Sequence, residues 1–499
     1  MTGIQQRPLH RAFWPDRQHS ALEQAWQDLR PGESLTQPTA ELFDPTAGMS
    51  YRTPTYRATV HADPSAPHLP PPDQWILKAF TTFVRGEFGD TPTCRPWKGY
   101  QPQHQRHAQA VPDIAERYLA NCTATLHQVD QTTRAHRNPA ETVERIYHLL
   151  CSAPWGNTAN KKYLDPAAFR AWIEPLVAAQ ARLLFILPAL PFKDQNPFRT
   201  ASEPDRPDLA ETTLLVRLHC LARAMTEIYP SGAEWLLLSD GHAYAGLFGI
   251  ETAQARTYFD RIVSTRNFLN LQSTVSILDL SDVCSHANGK VPGLFESHRT
   301  HLIQRLAELA AAPQGPLWKA MQVLMRGMAW NYSTRKLVSV SDGDSMRQLW
   351  DAVHLPTDPQ LPTSPLESRI RACACDAALG YAAFNLAVRW QDTLHTVFPQ
   401  AIRATIHAKP GQVAVPSLGK VAPWNGVALV AGDQPGPHDI EIYPLNDIRC
   451  GADQLTAHHD QHGDISYFTR NDTTSTQSTT WSQTSAAKSH TYEENQHDG

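Results

Sequence analysis

The chain has 499 residues, 41% hydrophobic and 19% charged, a globular composition long enough for a sizeable core and for more than one domain. Its 44 basic and 49 acidic residues give a net charge of −5 with no long basic run, which argues against nucleic acid or an anionic membrane as the main partner. The cysteines are scattered without paired zinc spacing, and the opening MTGIQQRPLHRAFW lacks an apolar core of signal-peptide length, so a reducing cytoplasm and no membrane span are expected.

Residues 1 to about 72, rich in Pro, Thr, Gln and Arg, read as extended or partly disordered. A helical stripe follows over Gln74 to Phe88, then a polar stretch to Pro112 in which His104 and His107 read as part of a solvated linker. Helical pattern returns at Ile114 to Val129 and Ala140 to Leu150. Pro166 then opens a further helix with Phe169, Trp172, Ile173, Leu176 and Val177 facing inward.

Leu183 to Leu187 is an unbroken apolar run, the pattern of a strand buried on both faces in a parallel sheet, and Pro188 and Pro191 stop it. Lys193, Asp194, Asn196 and Arg199 come next, where ligands bind in open α/β sheets. Lys193 and Arg199 offer an anionic substrate a point charge and a fork; the alternative is a solvated loop with ordinary surface charges.

Asp208 with Glu211 three residues on is an N-cap pattern for the helix that buries Leu214, Leu215, Leu218, Leu221, Ala222 and Met225. This motif faces the same strand ends. Trp235 to Leu238 is a second buried strand, ending at Ser239-Asp240-Gly241, and Val275 to Leu280 is a third. Strand, helix, strand is the unit of a parallel sheet.

Helices are expected over His298 to Ala312 and Leu317 to Trp330, a strand over Lys336 to Val340, and a long helix over Ser368 to Thr396. Ile402 to His407 alternates, so Arg403, Thr405 and His407 share one face. Val427 to Val430 and Ile440 to Tyr443 are further strands. His458, His459 and His462 form a cluster able to take up metal adventitiously, and the polar stretch from about Thr469 reads as a disordered tail.

FILPALPFKDQNPF, PDLAE, LLLSDGHAYAGLFGI, IRATIHAKPG and APWNGV, in that order, resemble the isonitrile (isocyanide) synthases over about Ala140 to Pro444. The resemblance departs at Asp194-Gln195-Asn196, where the family has Ser-Pro-Asn, at Arg403-Ala404-Thr405-Ile406-His407 for RLSIH, and at His242, where an arginine is preferred. It implies an α/β fold with a mostly parallel, Rossmann-like central sheet flanked by helices. An N-terminal extension (1–135) precedes the catalytic domain (136–465), and a tail (466–499) follows it.

The implied reaction joins the amine of an L-amino acid to ribulose 5-phosphate, giving an α-isocyano acid for secondary metabolism, with no metal or other cofactor. A downstream oxygenase is a further expected partner, and an N-formyl amino acid the alternative product. For that chemistry the catalytic candidates are Lys193, Asp240 and His407, and the substrate-binding candidates are Arg199, Asp208, Glu211 and Arg403. Against a nucleotide-dependent transferase such as a methyltransferase, no glycine-rich turn follows any buried strand. A scaffold that has lost the chemistry would not need these charged residues.

Overall fold

In the computed structural model the described residues are 104–107, 111–126, 138–286, 365–366, 394, 397–398, 400–406, 412–451, 455–460 and 462–470. The N-terminal extension up to residue 103, the tail beyond 470, the elements expected between 298 and 340, nearly all of the expected helix over Ser368 to Thr396, and His407 lie outside them.

In chain order the elements are β1 (His104–His107), α1 (Val111–Leu126), α2 (Pro139–Leu150), α3 (Asn160–Tyr163), α4 (Pro166–Ala178), β2 (Leu183–Pro188) and α5 (Leu209–Ile228). Then come β3 (Ala233–Ser239), α6 (Gly241–Tyr244), α7 (Thr252–Phe268), β4 (Val275–Asp279) and α8 (Leu280–His286). The last group is β5 (Ile402–Thr405), β6 (Val413–Ala414), β7 (Val427–Val430), β8 (Ile440–Tyr443), α9 (Leu445–Gly451), β9 (Leu455–His459) and β10 (Ile465–Arg470).

Among the described residues these strands form two five-stranded sheets. The first, in the order β4-β3-β2-β5-β6, is parallel throughout. Phe185 pairs with Trp235 across β2 and β3, and their rings stack 4.6 Å apart. Because both faces of a parallel sheet are covered, β2 and β3 need the continuous apolar runs they carry. The second sheet, β1-β9-β10-β7-β8, is mixed: β9 and β10 form an antiparallel hairpin, and β10 runs parallel to β7. His104–His107 is therefore a strand and not a linker.

Helix α5 packs against both sheets and against α1 and α2, and its burial from Leu209 to Ala222 is continuous. Its inward stripe thus widens until nearly the whole circumference is covered, Thr212, Thr213, Arg217 and His219 included. Its start carries a complete capping box, Asp208 and Glu211 each bonding the other's backbone. Helices α2 and α4 each begin with proline behind a side-chain cap, Asn138 and Asp165 respectively. Helix α1, assigned by its position to the N-terminal extension, buries Ile114, Tyr118, Cys122 and Leu126 in the same core as α5 and both sheets. Strand β10 likewise runs past residue 465, where the tail was expected to begin. Among the described residues no helix is long and apolar enough to cross a membrane.

Candidate active site

From β2 the chain moves through β3 to β4 on one side, and β5 and β6 lie on the other. The loops after β2 and β5 therefore part at the carboxyl edge, a topological switch point where such sheets bind ligands. Asp240, at the end of β3, and Asp279, ending β4, stand on the same edge as the loop after β2.

Beyond Pro188, the Ala189 N–H still reaches Leu238 O at 3.1 Å. Leu190 then turns with φ 61°, a left-handed conformation unusual for a buried leucine, and the Ser239 hydroxyl donates to its carbonyl at 2.8 Å. This turn sends Phe192 and Lys193 inward rather than to solvent. The following loop is tied down along its length. Its Asp194 N–H bonds Trp424 O at 2.9 Å and Lys193 N–H bonds Pro204 O at 3.0 Å, while Leu445 and Asn446 N–H bond the Arg199 and Phe198 carbonyls. The alternative of a solvated loop with ordinary surface charges is corrected here: Lys193, Asp194, Gln195, Asn196 and Thr200 are all buried.

Lys193 is the electrostatic centre. Its Nζ lies 2.7 Å from Asp208 Oδ2, 3.0 Å from both Glu211 oxygens and 3.2 Å from Pro423 O, with no exposed surface. The Tyr258 hydroxyl donates to Glu211 Oε1 at 3.1 Å. Burial pulls the Lys193 ammonium down, but the two carboxylates outweigh it and its pKa stands above the ordinary lysine value. Asp208 is raised well above the usual carboxylate range, by burial first, with Lys193 opposing and Glu211 adding to the rise. One ammonium thus faces two carboxylates, and Asp208 keeps its proton to higher pH than an ordinary aspartate. Tyr258 is also held well above its ordinary value, by burial and by the charges of Glu211, Asp208 and Asp240. That last influence links the buried cluster to the strand edge.

Asp240 is half-buried at the head of α6 and makes no side-chain cap to that helix. Next to it, His242 Nδ1 is paired with Asp279 Oδ2, and the other Asp279 oxygen accepts from Ser281 N–H at 2.8 Å. Arg199 is bound to Asp194 at 3.1 Å inside the loop. Arg403 lies on β5 opposite Ile186 and is half-buried.

The structure therefore gathers Lys193, Asp208 and Glu211 into one contact network, stands Asp240 at the same sheet edge, and sets Arg199 within its own loop. Tyr258, Asp279 and the pairing of His242 were not found from the sequence. Tyr258 lies on α7, whose buried stripe of Ala255, Tyr258 and Ile262 is too sparse to mark a helix in the sequence, and Asp279 carries no sequence mark beyond closing a strand.

Among the described residues no three His, Cys, Asp or Glu side chains form a metal-binding group. His458 instead stacks on Tyr467 at 4.3 Å and bonds Thr469, while His459 bonds Gly463 O, both within the β9–β10 hairpin.

A buried cation and carboxylate cluster thus lies at the switch point of a parallel α/β sheet, the place where sheets of this class bind small molecules. Residues 173–435 match the family described as pyoverdine/dityrosine biosynthesis protein, and the chain belongs to that family. It is 24% identical over 236 residues to the L-tryptophan isonitrile synthase AmbI1 of Fischerella ambigua, covering 47% of this chain and 64% of the relative, less than two thirds of that protein. It is 25% identical over 273 residues to an L-tyrosine isonitrile synthase of Pseudomonas aeruginosa, covering 52% of this chain and 74% of that one. The crystal structure of the PvcA protein from Pseudomonas aeruginosa is similar at 20% identity with a TM-score of 0.41, covering 66% of this chain and all of that one.

Proposed function

We propose that this chain is an isonitrile synthase, condensing the amine of an L-amino acid with ribulose 5-phosphate to give an α-isocyano acid. The observation that carries the reading is that the family match, residues 173–435, contains every member of the charged cluster and its rim: Lys193, Asp208, Glu211, Asp240, Tyr258 and Arg403. The relatives' names make aromatic L-amino acids the first substrates to try.

In this reading Lys193 fixes the charge balance of the floor, Asp208 holds the Lys193 ammonium at the head of α5, and Glu211 orients both Lys193 and Tyr258. Asp240 at the rim meets the substrate amine, Arg403 takes a substrate anion, and His407 works as an acid–base group. Arg199 serves the loop through Asp194. The reaction needs no metal, so turnover survives exhaustive chelation, and the isonitrile is passed to a downstream oxygenase.

The test is incubation of the purified protein with ribulose 5-phosphate and L-tyrosine, L-tryptophan or a mixture of amino acids, followed by mass spectrometry. The expected product carries one carbon more and two hydrogens fewer than the amino acid. A product heavier than that by one water is the N-formyl amino acid. No product from any amino acid overturns the reading.

A further inference from the structure

His242 and Asp279 stand apart from the Lys193 cluster, on neighbouring strand ends of the same sheet edge. Asp279 is 4% exposed and fixed through both oxygens, one on Ser281 N–H and the other on His242 Nδ1. The His242 side chain keeps 14% of its surface exposed, and its Nε2 has no partner among the described residues. Its ring lies 6.5 Å from that of Phe259 on α7. Charged groups on the surrounding elements are Asp279 on β4, Asp240 heading its own helix, Asp282 on α8, and Arg256, whose guanidinium lies over the Phe259 ring at 5.3 Å. A buried carboxylate that pins one imidazole nitrogen and leaves the other open is the arrangement that makes histidine a directed base.

The geometry points to His242 as a further catalytic residue, with Asp279 as its positioning residue: Nε2 carries the proton between the substrate amine and the departing hydroxyl. This rests on the condensation proposed above. In the step, Nε2 removes one proton from the substrate ammonium, and the freed amine attacks the ketose carbonyl. A proton shift within the adduct gives the neutral carbinolamine. The imidazolium then returns its proton to the carbinolamine hydroxyl as the carbon–oxygen bond breaks, leaving water, an iminium ion and neutral imidazole.

The test compares wild type with His242→Asn, which keeps an N–H for Asp279 but has no base at the Nε2 position, and with Asp279→Asn. The expected result is a His242→Asn protein with wild-type melting, a kcat lower by about 10²–10⁴-fold with KM little changed, and loss of the ascending limb of the pH–rate profile. Added imidazole restores part of the rate, and Asp279→Asn lowers kcat while keeping the limb. Should His242→Asn melt early, His242→Gln is read in its place. An active wild type alongside a substituted protein with unchanged kcat and pH profile overturns the role of His242 alone. A wild type that turns over no amino acid with ribulose 5-phosphate overturns the condensation and this role together.

Discussion

A Cβ added to Gly241 would stand 1.9 Å from the carbonyl oxygen of Pro191. The ends of β2 and β3 are pressed together there, and the contact is with backbone, which no rotamer change can relieve. Gly241→Ala must push the Pro191 turn or helix α6 aside, moving Lys193 on one flank or Asp240 and His242 on the other. Overpacking of this kind costs about 1–3 kcal/mol. Chemical denaturation should show that loss, and turnover should fall further than stability alone accounts for.

Lys193→Met leaves Asp208 and Glu211 facing each other without a counter-charge. Removing one partner of a buried ion pair costs about 3–5 kcal/mol, so the variant should melt early. A second change, Glu211→Gln, removes one of the stranded charges and should recover part of the loss. The effect should vary little with salt, because the group has no solvent contact. A Lys193→Met protein as stable as wild type would mean that the carboxylates reach water.

His219 is pushed down to about 4 from an ordinary 6.5, by burial first and then by the positive charge of Arg223. Its Nδ1 lies 2.6 Å from the Thr274 hydroxyl, between α5 and the start of β4. As pH falls below 6.5 the unfolded chain takes up a proton at this position before the folded chain does, so stability drops until about pH 4. The loss is on the order of 3 kcal/mol. His219→Gln should flatten the stability curve between those limits, measured as the difference from wild type so that the titrating carboxylates cancel.

Asn160 holds edge strand β6 in place. Its Nδ2 donates to Leu150 O at 2.7 Å and Ala414 O at 3.0 Å, and its Oδ1 accepts from Ala414 N–H at 2.8 Å. Asn160→Leu strands these buried backbone groups at about 1–3 kcal/mol for each unmet partner. Amide exchange at Ala414 should quicken well beyond that of β2 and β3. Asn160→Asp should be nearly as damaging, since it keeps the acceptor but turns a carboxyl oxygen toward two carbonyls.

What the sequence reveals here is whatever is local. The Leu183 and Trp235 strands, the capping box at Asp208 and the proline-led helices α2 and α4 are written in adjacent residues, and each stands where its pattern places it. What depends on contacts between distant segments is hidden. Lys193 looks like a loop cation until Trp424 and Pro423, from a turn more than 200 residues later, close over it. His242 meets Asp279 across 37 residues. Strands β9 and β10 were hidden for another reason: with its histidines, TAHHDQHGDISYFTR reads as a polar stretch leading into a tail, although Tyr467 and Phe468 are core residues.

The mixed sheet sets a limit on how the molecule can be divided. The residues that mark the family end at 435, inside the turn between β7 and β8, and begin at 173, midway through α4. A piece excised at those points would keep β7 but lose β8 and β10, the two strands that flank it. It would also lose α1 and α2 from the face of α5. A lone strand beside a stripped apolar helix is an aggregating species rather than a small enzyme. The signature by which the chain is recognised is thus shorter than the core it belongs to, since Ile114 of α1 and Tyr467 of β10 are buried in that same core.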